Sequence, residues 1–393
     1  MSPPSPPSPP SPPSPPRHRY RPCRPRRRGP RPAALSVLLL ACAAALASCG
    51  YGSRPDQVPA AAQAPAGAPG RKLSADSVTL GYFPNLTHAT ALVGVREGLI
   101  RRELGGTALK TTTFNAGPAE IEALNAGSVD IGFIGPSPAV NGYVKSKGRA
   151  LRIVSGAASG GVRLVVNPAK IETLEDLKGK RIATPQLGNT QDVAFLDWIA
   201  ARGWKVDAAS GKGDVSVVRT NNTITPDAYR SGAVDGAWVP EPTASKLVAE
   251  GATVLLDEAD LWPDKKFVIT NVVVSQKFLG EHPDVVEAVL RGTVRTNAWI
   301  NAHPDQAKAS ANAALAALTG KPLEPEVLDR AWPSLRVTDD PLPETLRAQS
   351  AHAVAAGLLE DPDLRGIYDL GPLNRVLGSL HQPTYPAPDD QGR

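Results

Sequence analysis

The sequence has few of the residues that bring redox or metal chemistry to a protein. Only three of its 393 residues are cysteine and only six are histidine, and none stands at the spacing of a metal site. Cys23 and Cys42 lie in an N-terminal region typical of a cleaved signal, so that a mature chain would keep only Cys49. We therefore predict no internal disulfide in the mature chain, no metal ion and no cofactor.

The sequence also lacks the short motifs of common catalytic and nucleotide-binding sites. It contains no P-loop, no dinucleotide-binding fingerprint, no H-E-x-x-H pair and no G-x-S-x-G turn. Its excess of positive charge lies at the N-terminal end. Residues 1–48 hold eight arginines and no acidic residue, so the positive charge of this segment alone exceeds the net charge of +5 of the whole chain. No nucleic-acid partner is expected for the rest.

The N-terminus indicates an export signal behind an unusual leader. Residues 2–16 are five Ser-Pro-Pro repeats, which cannot build a core. An arginine cluster follows, and then the apolar run "PAALSVLLLACAAALASCG", which is short for a membrane span. Its last residues, Leu46 to Cys49, resemble a lipobox whose cysteine is acylated, although an ordinary signal peptide with an incidental cysteine is the alternative. We predict a leader and lipoprotein signal over residues 1–48 and a flexible tether over residues 49–75.

From Val78 onward, strand-like runs alternate with helical patterns. The strand candidates are "SVTLGYF", "LKTTTFN", "VDIGFIG", "KRIATP", "DVSVVRT", "AVDGAWV" and "ATVLLD". This alternation predicts an α/β fold with mainly parallel strands. After Pro283 the pattern changes to successive alanine-rich helices, and the last residues read as a loose tail.

Two segments of the body resemble each other. Residues 123–136 read "ALNAGSVDIGFIGP" and residues 228–240 read "AYRSGAVDGAWVP". Each runs from a helix end through a glycine and Val-Asp into a strand that ends at a proline. Either two βα units agree by chance, or two similar lobes direct a strand end and a helix N-terminus into one shared cleft.

The stretch "VDIGFIGPSPAV" is the first candidate for a ligand-binding turn. Residues 129–134 are apolar on both faces, as in a strand covered by helices on each side. Ser137 suits an N-cap and Pro138 the first helical position, which would leave the N–H groups of Ala139 and Val140 free for an anion. A plain helix cap without a ligand is the alternative.

Two later strand ends offer further contacts. "ATPQLGNTQDVAF" ends a strand and opens a helix that Asn189 or Thr190 can cap, with the helix amides left free for an anion. "WVPEPTAS" places Trp238 at a strand end and Glu241 in the first turn of a helix. Glu241 suits either the helix dipole alone or an ammonium group of a ligand.

The loops after the first two strands carry further polar candidates. "FPNLTHATAL" contains Asn85, Thr87 as a natural N-cap, and His88 as either a hydrogen-bonded structural residue or a ligand contact. Asn115 ends the second strand and can contribute an amide. "GAASGGVR" marks a crossover between lobes, where two glycines can relieve backbone strain.

These residues together resemble the solute-binding lipoproteins of bacterial ABC importers, specifically the nitrate, sulfonate and taurine group. The resemblance covers roughly residues 76–360 and is carried by "VTLGYFPNLTHATALVGVREGLI", "SVDIGFIGPSPA", "LEDLKGKRIATPQLGNT" and "GAWVPEP". "LEDLKGKRIA" is shared widely and indicates the fold more than the ligand. The resemblance implies the two-lobed α/β fold of type II periplasmic binding proteins, with a hinge and an interlobe cleft.

The resemblance also implies where the lobes and the ligand contacts lie. Lobe I would comprise residues 76–160 and 265–375, lobe II residues 161–264, and a C-terminal tail residues 376–393. The implied ligand contacts are Asn85, Thr87, Ser137, Asn189, Thr190, Trp238 and Glu241. Because these loops show no arginine, helix amides and hydroxyl groups would hold an anion.

The implied function is transport rather than catalysis. We expect an exported monomer, lipid-anchored on the outer face of the cytoplasmic membrane, that captures a small anionic solute such as an aliphatic sulfonate, taurine or nitrate. It would deliver that solute to the permease subunits of an ABC importer. The alternatives are a binding protein for a thiamine pyrimidine precursor or similar heterocycle, which should require aromatic residues in the cleft, and an enzyme of the same fold.

Overall fold

The computed structural model describes residues 72–386 and residue 388. The predicted leader, the lipidation site Cys49 and most of the predicted tether lie outside the described residues. The described residues form eleven strands, which are β1 (Ser77–Tyr82), β2 (Ala108–Thr113), β3 (Ile131–Ile134), β4 (Leu151–Gly160), β5 (Val162–Val166), β6 (Arg181–Thr184), β7 (Ser216–Arg219), β8 (Gly236–Pro240), β9 (Thr253–Asp257), β10 (Val268–Ser275) and β11 (Leu335–Val337).

The same residues form thirteen α-helices and five short 3-10 helices. The α-helices are α1 (Ala89–Arg96), α2 (Leu99–Glu103), α3 (Gly117–Asn125), α4 (Pro136–Lys145), α5 (Thr190–Ala200), α6 (Thr225–Arg230), α7 (Thr243–Ala249), α8 (Gln276–Glu281), α9 (Pro283–Ala302), α10 (Pro304–Thr319), α11 (Pro325–Ala331), α12 (Pro343–Ala355) and α13 (Gly371–Ser379). The 3-10 helices are Leu86–His88, Glu175–Leu177, Glu258–Leu261, Pro263–Lys265 and Trp332–Ser334. Among the α-helices of the described part, none combines the length and apolarity needed to cross a membrane.

The strands form two sheets, each the centre of one α/β lobe, which confirms the predicted fold class. The first sheet has the order β11-β4-β10-β3-β1-β2, and the second has the order β7-β6-β8-β5-β9. In the first, Phe133 and Val272 belong to the apolar cluster shared with α1 and α9, whereas Ile134 and Val273 belong to the cluster shared with α3 and α4. Helices therefore cover both faces of this sheet, as the unbroken apolar run in β3 predicted.

The prediction of mainly parallel pairing is wrong. β1 pairs in parallel with β2 and β3, and β6 pairs in parallel with β7 and β8. However, β10 runs antiparallel to β3 and β4, and β5 runs antiparallel to β8 and β9. The chain enters β5 and β10 from the other sheet, without a crossover α-helix before either strand. In a parallel pair, such a helix returns the chain to the end of the sheet at which the preceding strand began. Without it, β5 and β10 run in the opposite direction to their neighbours.

Two further boundaries differ from the sequence prediction. The run "HATALVGVREGLIRREL" forms two helices rather than one, because Gly98 adopts a left-handed φ of 67° between α1 and α2. The predicted tail from residue 376 begins too early, since α13 extends to Ser379 and buries Val376 and Leu377 in the first lobe.

The chain crosses between the sheets at the glycines that the sequence marked. Gly160 and Gly161 join β4 to β5 with φ values of 82° and 73°, a region that glycine enters without steric cost. At the return crossing, the N–H of Phe267 donates to the hydroxyl of Ser159 at 3.2 Å. The two crossings are therefore held side by side.

The similarity between the two Val-Asp segments is real in three dimensions. Gly127 and Gly232 end their helices with φ values of 71° and 72°. Asp130 then accepts a hydrogen bond from a main-chain N–H of β1 at 2.8 Å, and Asp235 accepts one from a main-chain N–H of β6 at 3.0 Å. Each aspartate thus fixes its strand against a parallel neighbour, and the two lobes repeat the same βα unit.

Glu120 of α3 is buried against the first sheet without a hydrogen-bond partner for either carboxylate oxygen. It lies over Gly81 and Gly132, a cross-strand pair on β1 and β3, where an added Cβ would come within 2.4 Å and 2.6 Å of Glu120 Oε1. Burial raises the pKa of Glu120 well above its usual range. The two glycines are therefore required to accommodate this side chain.

Replacing Glu120 by methionine is expected to raise the free energy of unfolding by about 1–3 kcal/mol, because it removes two buried oxygens that have no partner and keeps the side-chain volume. Urea unfolding at pH 7 measures this change. Glu120→Ala is the control, since it leaves a cavity over the glycines and should cost about 2 kcal/mol or more. Equal destabilisation by both variants would contradict the interpretation.

Candidate functional site

A cavity with an empty volume of about 330 Å³, part of it open to solvent, lies between the two lobes. It is lined by residues at or beyond the carboxyl ends of six strands, three from each sheet. Phe83 follows β1, Asn115 follows β2 and Gly135 follows β3, while Asn222 follows β7 and Pro240 ends β8. Asn189 and its neighbours, in the loop after β6, complete the wall. This is the edge at which open α/β sheets bind ligands.

Six of the nine predicted ligand contacts line this cavity. They are Asn85, Thr87, His88, Asn115, Asn189 and Thr190. The first four come from the first lobe and the last two from the second, so the predicted convergence of both halves of the chain on one cleft is observed.

The described residues that line the cavity carry no charged side chain at neutral pH. They offer amides, hydroxyl groups, one imidazole and apolar surface from Phe83 and Ile269. A wider groove adjoins the cavity at Asn115 and contains Arg219, but this guanidinium donates to the buried carboxylate of Asp192 at 2.9 Å. The groups that the inner cavity presents to a ligand are therefore neutral.

His88 is held as a neutral hydrogen-bond donor. The main-chain N–H of Phe83 donates to His88 Nδ1 at 3.2 Å, and the two rings stack with centroids 4.4 Å apart. Complete burial lowers the pKa of His88 to about 3, so the ring is uncharged at neutral pH. Because Nδ1 accepts a hydrogen bond, the proton of the neutral ring is on Nε2.

The N-terminus of α5 supplies main-chain donors. Asn189, one of the two predicted cap residues, occupies its N-cap position without a capping hydrogen bond from its side chain. The N–H groups of Thr190 and Gln191 have no acceptor among the described residues. The Thr190 hydroxyl is also buried without a partner. An anion is favoured at this position because several free donors and the positive end of the helix dipole coincide.

The geometry predicted around Ser137 is wrong. α4 begins at Pro136 with Gly135 as its N-cap, and the N–H of Ala139 donates to Gly135 O at 3.2 Å rather than remaining free. Pro136 and Pro138 have no N–H, so Ser137 supplies the one main-chain donor of the first three helical positions. Its hydroxyl is buried without a partner among the described residues, and Ser137 is not one of the residues that line the cavity.

Thr87 is not an N-cap. The chain forms a 3-10 turn over Leu86–His88 before α1, and Asn85 precedes that turn. The Thr87 hydroxyl donates to Asn85 Oδ1 at 2.7 Å. This bond orients the Asn85 amide, so that its Nδ2 group remains available as a donor.

The structure does not place Trp238 in the cavity. Its indole is fully buried on the opposite face of β8, against Phe195 and Trp198 of α5. Its Nε1 donates to Glu258 Oε2 at 2.6 Å. Because β8 is buried on both faces, its sequence pattern does not reveal which side of the sheet the tryptophan occupies.

Glu241 has structural partners and does not line the cavity. It lies before α7 and accepts hydrogen bonds from the Ser245 N–H at 3.0 Å and from Arg163 Nη1 at 2.8 Å. Arg163 also donates to Asp257 at 3.0 Å. Burial raises the pKa of Glu241, and the Arg163 guanidinium opposes that rise. This carboxylate caps a helix and has its own counter-ion, so the ammonium-binding role predicted for it is not supported.

The two lobes touch around the cavity. The main-chain N–H of Gly117 donates to Asn189 Oδ1 at 3.3 Å, and the N–H of Leu86 donates to Glu241 O at 3.2 Å. A Cβ added at Gly135 would lie 2.5 Å from the Thr190 hydroxyl oxygen. The structure therefore describes a closed arrangement of the lobes.

Sequence reasoning missed Gly135, Gln191, Asn222 and Ile269 as cavity residues. Asn222 was recoverable, because "RTNNT" places polar residues directly after β7, at the same edge of the sheet as Asn189. Ile269 was not, because it follows the return crossing and only the fold brings it beside the first strand ends.

Two α/β lobes, joined by two crossings and closed over a cavity at their strand ends, form the two-lobed fold of type II periplasmic binding proteins. The chain belongs to the NMT1-like family, whose model matches residues 71–316.

Three proteins that are similar to this chain have names that state what they bind. The taurine-binding periplasmic protein of Escherichia coli is 28% identical over 229 residues, which cover 58% of this chain and 68% of that protein. The alkanesulfonate-binding protein of Xanthomonas axonopodis, solved with bound MOPS, superposes with a TM-score of 0.60 at 22% identity, covering 72% of this chain and 94% of that chain. The nitrate-binding protein of Synechocystis superposes with a TM-score of 0.64 at 15% identity, covering 80% and 91%. All three are named as binding proteins, which supports a non-enzymatic role.

Proposed function

We propose that this chain captures a small anionic solute, either an aliphatic sulfonate, taurine or nitrate, in its interlobe cavity and delivers it to the permease of an ABC importer. The observation that carries the proposal is the lining of the cavity, where neutral donors from both lobes converge without an acidic side chain. The names of the relatives support the same class of solute.

The available donors are sufficient for the proposed binding. Hydrogen bonds to a charged group contribute about 1.5–3 kcal/mol each. The four donors are the N–H groups of Thr190 and Gln191, the Thr190 hydroxyl and the His88 imidazole, and together they would contribute about 6–12 kcal/mol. This range spans the roughly 8 kcal/mol of micromolar affinity, and its upper part also offsets ordering costs. Since the solute contacts both lobes, it favours the closed state by its differential affinity for that state.

The heterocycle alternative has less support. Among the described lining residues, the aromatic rings are those of Phe83 and His88, and they stack on each other. Trp238, which the sequence placed at a strand end as a ligand contact, faces the other side of its sheet. A small oxyanion fits the cavity better than a flat ring system does.

The cellular setting belongs to the same proposal. A periplasmic relative supports export of the chain. We propose that Cys49 is acylated, that the protein is a monomer anchored to the outer face of the cytoplasmic membrane, and that residues 76–160 and 265–379 form one lobe and residues 161–264 the other.

Thr190→Val tests the proposed site. Valine keeps the shape of threonine but removes a hydroxyl that has no partner among the described residues, so we expect the affinity for the preferred solute to fall about 10-fold while the melting temperature changes little. Calorimetric titration with taurine, ethanesulfonate and nitrate measures the effect.

Thr293→Val is the matched control, because the Thr293 hydroxyl donates within α9 to Val289 O at 3.0 Å, away from the cavity. It should leave the affinity unchanged. Failure of all three anions to bind the unmodified protein would refute the proposed solute class, and equal affinity of Thr190→Val and the unmodified protein would remove the hydroxyl from the site.

A further inference from the structure

A second pocket, separate from the interlobe cavity, lies between α5, the turn Glu258–Leu261 and α12. Its empty volume is about 870 Å³, part of it open to solvent. We call it the aromatic pocket, and its main lining residues are Trp198, Trp238, Trp262, His352, Asp197 and Glu258. None of these residues lines the interlobe cavity.

Glu258 gives this pocket a buried acceptor that the protein leaves unused. Its Oε2 accepts the hydrogen bond from the Trp238 indole, and the Trp262 indole lies close enough to affect its pKa. Its Oε1 is buried and has no hydrogen bond of normal geometry among the described residues, and the residue is only 1% exposed. Burial raises the pKa of Glu258 to about 7, although the indoles of Trp238 and Trp262 oppose the rise. A carboxylate in this state lacks a cationic partner.

Aromatic rings lie around this carboxylate, and one of them already forms a contact with a cationic side chain. The guanidinium of Arg202 lies 3.4 Å from the ring centroid of Trp198, in the geometry of a cation–π contact. Trp262 stacks on Phe267 and lies 5.5 Å from the ring of His352. The Trp198 Nε1 group is buried without an acceptor, so the pocket is not merely an apolar hollow.

The other ionisable groups of the pocket leave Glu258 unpaired. Asp197 lies 3.7 Å from His352 Nε2 at the rim. Arg202 donates to the main-chain oxygen of Trp198 and forms no ion pair with Glu258 among the described residues. The positive charges are therefore used elsewhere, and no cation among the described residues pairs with the Glu258 carboxylate, which lines the pocket.

We propose that the aromatic pocket binds a small organic cation with a primary ammonium group, whose N–H donates to Glu258 Oε1 and whose carbon chain packs against the indole rings. The pocket joins α5 of the second lobe to α12, which packs on the first. Its occupant therefore contacts both lobes, on the side of α5 away from the anion site.

Calorimetric titration and tryptophan fluorescence with n-butylammonium chloride test this proposal. We expect n-butylammonium to bind in the millimolar range. n-Butanol, which has the same chain without charge, and tetramethylammonium, which has charge without an N–H, should each bind at least 10-fold more weakly. Saturating taurine should not displace n-butylammonium, which distinguishes this site from the interlobe cavity. Equal binding of n-butanol, or displacement by taurine, would overturn the proposal.

Glu258→Gln should weaken n-butylammonium binding at least 10-fold, because the neutral amide keeps the bond from Trp238 but loses the charge. Glu324→Gln, on an exposed glutamate, is the control and should change nothing. Leu261→Arg is a second variant. Leu261 lines the pocket but is 47% exposed, so its substitution should not disturb folding. The new guanidinium group should compete with n-butylammonium. Unchanged affinity in both pocket variants would refute the assignment.

Discussion

Gly135→Ala is expected to lower the affinity for the anionic solute about 10- to 100-fold without unfolding the first lobe. The added Cβ would lie 2.5 Å from the Thr190 hydroxyl oxygen, an atom of the opposite lobe, whereas the nearest main-chain atom, Ile269 O of its own lobe, is 3.7 Å away. Gly135 has φ −67° and ψ 155°, which alanine adopts freely. The methyl group would therefore oppose closure of the two lobes. It should raise the free energy of the closed state by about 1–3 kcal/mol, which is typical of overpacking.

Thr190→Ala provides the test of this mechanism, because it removes the clashing oxygen and leaves a Cβ 3.6 Å from the new methyl group. The added methyl group should then have almost no effect on closure, so that Gly135→Ala/Thr190→Ala binds the solute as tightly as Thr190→Ala alone. Small-angle scattering with saturating solute measures closure directly. If Gly135→Ala lowers affinity equally in both backgrounds, the effect does not arise from contact between the lobes.

Arg163→Met is expected to lower the free energy of unfolding by about 3–5 kcal/mol, the usual cost of removing one partner from a buried ion pair. Glu241 is completely buried and would lose its cation, and Asp257 would lose the same partner. The loss should shrink as the pH is lowered, since Glu241 then takes up a proton. Urea unfolding between pH 5 and pH 8 measures both effects.

The double variant Arg163→Met/Glu241→Gln separates charge from packing. It removes the buried negative charge, and the glutamine amide can still accept from the Ser245 N–H, so most of the lost stability should return. A double variant as unstable as Arg163→Met would show that the guanidinium contributes mainly through packing against its neighbours.

Much of the fold follows from local sequence signals. The Val-Asp segments were recognisable because the same physical task, fixing a strand beside a parallel neighbour, needs a carboxylate at the same place in both lobes. Asn189 was recognisable because a small polar residue between a strand and an amphipathic helix is a typical N-cap. Gly160 and Gly161 marked a crossing because two successive positive φ values strongly favour glycine.

The remaining features depend on contacts between distant residues. Glu241 looked equally suited to a ligand or a helix, and the decisive partner, Arg163, lies 78 residues away in sequence. The orientation of Trp238 depends on which face of β8 meets α5. The pairing of β5 and β10 depends on the path of the chain between sheets, which strand and helix patterns do not encode.

The two prolines around Ser137 give the lobes unequal shares of the hydrogen bonding. α4 presents one free main-chain N–H in its first turn, whereas α5 presents those of Thr190 and Gln191 together with a free hydroxyl. Among the described residues, the free main-chain donors next to the cavity are therefore concentrated at the N-terminus of α5 in the second lobe, while the first lobe contributes side chains such as those of Asn85 and His88.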